Sequence, residues 1–136
     1  MERIPILYDG DCGFCRATLG LLLTWDRRRR FRPVAIQSDE GARLLEGMPE
    51  EQRLASAHAV MPGASGPVSA GAAAAPVLRE LPAGEPVATL AERLPSATDR
   101  AYRWVADHRT SLSRMVPGAL KQRADAIVRE RSRLGE

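Results

Sequence analysis

The sequence predicts an α/β protein, a mixed sheet covered by helices in the order β-α-β-α-β-β-α, with further helices added at its C-terminal end. Three observations carry that reading. Apolar runs of strand character alternate with stretches of helical spacing between residues 4 and 59. The runs at Ala57–Met61 and Val68 are joined by the turn-rich PGASGP, the pattern of a hairpin. Beyond Pro82 every apolar stripe has helical period.

Each element has its own local reason. In RIPILY, Ile4, Ile6 and Tyr8 face one way and Pro5 and Leu7 the other, and Pro5 has to stand where no backbone donor is needed. DGD breaks that run. Cys15–Trp25 then has helical spacing, with Cys15, Thr18, Leu19 and Leu22 along one face and Asp11 as the expected N-cap. The arginine run after Asp26 closes the helix, and FRPVAI, Phe31–Ile36, forms the second strand. Ser38 caps the next helix, Asp39 and Glu40 sit in its first turn where negative charge is favoured, and Gly47 stops it. Pro49 opens a short helical turn to Leu54. The run SAGAAAAPVLREL is helical in composition, but Pro76 sits badly inside a helix, so either the regular helix begins near Pro76 or its first turn is distorted. Three stripes follow, separated by Pro95 and Pro117: Val87, Leu90, Ala91 and Leu94; Ala101, Trp104, Val105 and His108; Leu120, Ala124, Ile127 and Leu134. One domain is expected, with residues 1–82 as the core and residues 83–136 as a helical extension packed on it.

Composition narrows the function classes. With six aromatic residues in 136, Leu, Val and Ala must fill most of the core, and Trp25, Tyr102 and Trp104 read as core or helix contacts. The net charge is +3, and residues 100–136 hold nine basic residues against four acids. Arginine supplies every basic residue except Lys121. Such clusters meet either solvent or an anionic partner. No aromatic ladder or nucleic-acid motif accompanies them, so no nucleic-acid partner is expected. The terminal helix, Gly118–Leu134, is either a partner surface or a packed helix with a basic outer face. The start shows no secretion signal, and Ala17–Trp25, the longest later apolar stretch, is far too short to span a bilayer. A cytoplasmic setting is expected, where two cysteines serve as reactive or metal-binding thiols more readily than as a structural bridge.

Those two cysteines stand in YDGDCGFCR, residues 8–16, directly after the first strand. The element order together with a C-X-X-C at that place is the pattern of a thioredoxin-like fold. YDGDCGFC also resembles the signature of the DCC-type thiol–disulfide oxidoreductases, in Asp11, Cys12 and Cys15. Asp26 followed by basic residues, Gln37 after the second strand, Gly71 with Ala74, and the late AYRWVADHR segment extend the resemblance from about Ile4 to Leu112. The resemblance implies a redox role. One departure stands out: thioredoxins place a cis-proline before the strand that faces the C-X-X-C, and here that approach reads RLASAH.

Three readings of the pair stay open. In the redox reading Cys12 attacks and Cys15, one turn deeper, resolves, through a reversible Cys12–Cys15 disulfide and with no bound cofactor; the partner is a protein or small-molecule thiol or disulfide. Free N–H groups at the helix start favour a thiolate there, Arg16 adds to that, and Asp9 and Asp11 oppose it, so a mild, reducing couple is expected. Asp9 either takes a proton from Cys15 or accepts loop hydrogen bonds. Gly10 and Gly13 let the chain turn and leave Cys12 uncovered, and Phe14 is a lid or plain core. The second reading is metal binding, which needs further ligands when only His58 and His108 remain. The third is a redox-silent interaction domain whose cysteines pack.

Overall fold

Alternating burial in IPILY decides the centre of the fold. A computed structural model describes residues 3–134 and places β1 (Ile4–Tyr8) inside a four-stranded sheet. On one side β2 (Phe31–Ala35) runs parallel to β1; on the other β3 (His58–Ala59) runs antiparallel, and β4 (Val68–Ser69) pairs antiparallel with β3. The order β2-β1-β3-β4 is that of a thioredoxin-like sheet. Pro5 stands just beyond the end of the β1–β3 ladder, where its carbonyl still accepts the Val60 N–H at 3.0 Å and only one donor is lost. Pro33 stands on the edge strand.

The period of two sorts side chains onto two faces. Ile4 and Ile6 join Leu19, Leu23, Phe31 and Val77 in one buried cluster, while Leu7 joins Val34, Ile36 and Leu45 in another. Fully burying each such side chain contributes about 1.5–3 kcal/mol. The first cluster is covered by α1 (Gly13–Trp25), α4 (Gly71–Arg79) and α8 (Gly118–Leu134), and the second by α2 (Asp39–Leu44). Ser38 caps α2 as expected, its Oγ accepting the Gly41 N–H at 3.0 Å, and Gly47 takes φ +88° in the turn that follows. The short helix after Pro49 is α3 (Glu50–Ala55).

Several expectations change. Strand β2 ends at Ala35 and β3 is only two residues long. Helix α4 begins at Gly71 and runs through Pro76, so the helix does not wait for the proline. After α4, four helices follow: α5 (Glu85–Arg93), α6 (Pro95–Asp107), α7 (Arg109–Met115) and α8, because the chain breaks at His108 as well as at the prolines. The first two stripes do not form core. Val87, Leu90, Leu94, Trp104 and Val105 are exposed, and it is Ala88 that is buried. Close approach selects the small residue: a Cβ on Gly84, at the start of α5, would lie 1.9 Å from the Leu78 carbonyl oxygen of α4.

Helix α8 takes the packed alternative and lies along α1. A Cβ on Gly20 would lie 2.5 Å from the Ala124 Cβ, so the two helices touch through their smallest residues. Leu120 stays exposed, and the side chain of Leu134 lies outside the described residues. At the far end of α1, buried Asp26 accepts the N–H groups of Arg30 and Phe31, each at 3.0 Å. It also pairs with Arg131 of α8 at 3.0 Å, and Arg131 donates to the Leu23 and Asp26 carbonyls. No described helix is long and apolar enough to cross a membrane.

Candidate active site

The loop between β1 and α1 is built by its own polar groups. Asp9 Oδ1 accepts the Asp11 N–H at 3.0 Å and Gln37 Nε2 at 2.7 Å. Gln37 Oε1 in turn accepts the Gly10 N–H at 3.0 Å. Of the two roles open to Asp9, this is the hydrogen-bonding one. The turn closes with the Cys12 N–H on the Asp9 carbonyl at 3.2 Å, and α1 then starts at Gly13, two residues before the expected Cys15.

That early start removes Asp11 from the capping position. The N-cap is Cys12: its Sγ accepts the Cys15 N–H at 3.3 Å, while Asp11 is exposed one residue outside. A sulfur therefore occupies the place usually taken by a Ser or Asp oxygen, and a backbone donor is aimed at any negative charge that develops on it. Gly10 and Gly13 do not use the left-handed region that favours glycine; they answer to close contact. A Cβ on Gly13 would lie 3.0 Å from Ser113 Oγ, and one on Gly10 would lie 3.2 Å from Gln37 Oε1.

Arg16 is also displaced from its expected role. Its Nε meets Asp125 of α8 at 2.9 Å and its Nη1 the Gly10 carbonyl at 2.7 Å, so it ties the loop to α8. The cation at the sulfur is Arg109 instead. Its Nη1 lies 3.9 Å from Cys15 Sγ and donates to the Leu54 carbonyl at 3.2 Å. Both cysteines are free thiols. Burial, and then the neighbouring Cys12, push the Cys15 thiol up to about 12, and only Arg109 pulls against them.

Two hollows meet at the pair. A polar one of about 410 Å³ exposes Cys12 among Asp11, Ser113, Arg114 and Lys121. An apolar cleft of about 250 Å³ runs beside Cys15, walled by Phe14, Leu19, Leu22, Val77 and Val105. Asp9 and Arg109 line both. The expected face of α1, Cys15 with Thr18, Leu19 and Leu22, is the wall of this cleft, and Phe14 belongs to it too.

The approach to β3 forms the opposite wall. No peptide bond among the described residues is cis. Ala57, directly before β3, has an N–H that donates to Tyr102 Oη at 2.8 Å, and its carbonyl accepts the Ala70 N–H at 3.3 Å. His58 is buried and committed on both ring nitrogens, to Ser69 Oγ at 2.6 Å and the Arg53 carbonyl at 2.9 Å. A carbonyl only accepts, so Nε2 carries the proton and Nδ1 accepts from the serine hydroxyl. His108 is exposed and stacks on Trp104 with ring centroids 4.2 Å apart.

A family model for DCC1-like thiol-disulfide oxidoreductases matches residues 6–115. The chain belongs to that family. No curated protein and no solved structure matches it. The family match runs from β1 through α7, so it takes in both cysteines, Tyr102 and Arg109, while Lys121 on α8 lies beyond it. Sequence reasoning missed Tyr102 and Arg109 as site residues. Their signal was the AYRWVADHR segment, whose place in the family pattern was legible but whose position against the cysteines was not.

Proposed function

We propose that the chain exchanges dithiol for disulfide through Cys12 and Cys15 alone, Cys12 attacking and Cys15 resolving. The observation that carries this reading is the asymmetry of the pair: Cys12 caps the helix at an open polar hollow, whereas Cys15 lies beside an apolar cleft with a guanidinium at its sulfur.

The Cys12 thiolate attacks one sulfur of a substrate disulfide; a Cys12–substrate S–S bond forms, the substrate S–S bond breaks, and the first thiolate leaves with the electron pair. Cys15 then gives up its proton, which the released substrate thiolate takes up, and attacks the Cys12 sulfur. The Cys12–Cys15 disulfide closes and the second substrate thiolate leaves, so two electrons have passed from the protein to the substrate. The second step requires Cys15 to give up a proton that burial, which persists in the mixed disulfide, holds on its sulfur. Arg109 is the positioning residue for it, stabilising the charge that appears on Cys15 as the proton departs. The pair is assigned as a reducing couple, because among the described residues the only cation hydrogen-bonded to either sulfur is Arg109, in one long contact with Cys15.

Insulin reduction and reduction of small disulfides by the wild type, Cys12→Ser and Cys15→Ser test the assignment. Wild type is expected to turn over, Cys12→Ser to be inert, and Cys15→Ser to stop as a mixed disulfide visible by mass. Equal inactivity of all three on several disulfides would overturn it. Equilibration with glutathione gives the potential, and a strongly oxidising value would overturn the reducing assignment.

A further inference from the structure

Two independent features of the site bear on what it reduces. One is charge. The hollow that exposes Cys12 is lined by Arg109, Arg114 and Lys121, and among the described residues neither Arg114 nor Lys121 makes an ion pair. Lys121 is the only lysine in a chain that otherwise uses arginine. It is held over the residue that follows Cys12, for a Cβ on Gly13 would lie 3.6 Å from its Nζ. Asp9 and Asp11 share the hollow, but Asp9 Oδ1 already accepts two loop donors and Asp11 is exposed at the rim. Ser113 and Thr110 add hydroxyl groups.

The other feature is access. An extended polypeptide docks on a strand edge through free backbone groups. At the approach to β3, the N–H and carbonyl of Ala57 are both taken, by Tyr102 and Ala70, and α6 covers that side of the cleft with Tyr102 and Val105. The open route to the sulfur is the polar hollow, whose volume of about 410 Å³ falls in the range of sites for small ligands.

We infer that the hollow beside Cys12 receives a small anionic thiol in its disulfide form, its carboxylates or phosphates held by Arg114 and Lys121. This rests on the exchange reaction proposed above and supplies its substrate class. The chemistry is unchanged: Cys12 sulfur bonds to one sulfur of the small disulfide, and the other half leaves as a thiolate carrying the electron pair. The cations favour the approach of the anion and the negative charge on the leaving sulfur.

A charge series at Cys12 tests this. Mixed-disulfide formation on the Cys15→Ser protein is timed by mass with cystamine (cationic), hydroxyethyl disulfide (neutral) and dithiodipropionate (anionic). Oxidised glutathione and the disulfide of coenzyme A then separate carboxylate from phosphate recognition. At low salt the anionic disulfide is expected to react roughly tenfold faster than the neutral one, with the advantage shrinking as salt rises. In Arg114→Gln/Lys121→Gln the anionic-to-neutral rate ratio is expected to fall toward one, and Lys121→Glu should turn the preference toward cystamine. A ratio near one in the Cys15→Ser protein, or a ratio that survives the added double substitution, would overturn the inference and leave the exchange reaction standing. If no disulfide of any charge adds to Cys12, the exchange reaction itself fails.

Discussion

The two ends of α1 use the same device for opposite purposes. At the C-terminal end Arg131 reaches Asp26; at the N-terminal end Arg109 reaches Cys15. Both arginines come from the helices added after the sheet. The Asp26 end is well satisfied: a fully buried carboxylate accepts two backbone donors and one from a guanidinium whose Nη2 also donates to two carbonyls. The Cys15 end is left unfinished: a half-buried thiol, one long hydrogen bond from Arg109, and a hollow beside each cysteine. A satisfied polar cluster holds structure, and one with spare capacity is where charge can still change.

The largest way to break that comparison is Asp26→Ala. Removing the acid strands the buried guanidinium and two backbone donors, so a loss of about 3–5 kcal/mol is expected in urea unfolding. Cys12 in the folded fraction should still react with iodoacetamide at the wild-type rate. If stability barely moved, the Asp26 end would not be the structural one.

Arg109→Gln should give the converse result. The resolving step is expected to slow about tenfold, since a half-exposed cation is screened and cannot supply the larger effects of a sealed site. Stability should change by no more than about 1 kcal/mol, the worth of its bond to Leu54. The readout specific to this role is the pH dependence of Cys15 alkylation in a Cys12→Ser background, which should move to higher pH when Arg109 is lost. An unmoved profile would reduce Arg109 to a packing residue.

His58, on the wall of the same cleft, gives the smallest and sharpest test. Burial holds its imidazole below the usual pKa, so the folded protein keeps it neutral. As pH falls below about 6.5 the unfolded chain takes up that proton and the folded chain does not, so the stability present above that pH is progressively lost. His58→Gln should flatten this limb of the stability–pH curve. An identical slope in the variant would assign the acid sensitivity to other groups.

What could be read in advance follows the range of the forces. The alternation of Ile4, Ile6 and Leu7, the Ser38 cap, the hairpin and the run of helices are decided by neighbours a few residues apart, and these were legible. The N-cap was misassigned by one residue, because an Asp beside a Cys is the better cap by propensity; the turn drawn tight by Asp9 puts the sulfur there instead. The stripes on α5 and α6 marked two helices correctly but not which side is covered. Periodicity tells that a helix is two-sided, but which side is covered depends on how near the next backbone comes, and here Ala88 and Gly84 allow an approach that Leu90 would prevent.

By itself, then, the sequence determined the α/β order, the place of Cys12 and Cys15 after the first strand, and the resemblance that implied thiol–disulfide chemistry. The tertiary structure alone decided the electrostatics of that site. Arg109 is 94 residues from Cys15 and Arg131 is 105 from Asp26, and neither pairing has a local pattern to announce it. Arg16, four residues from Cys12, was the natural choice on spacing and went to Asp125. Proximity along the chain favours a contact only until packing brings a better-placed partner, and in this molecule the closing of α7 and α8 over the end of α1 settles which cation meets the sulfur.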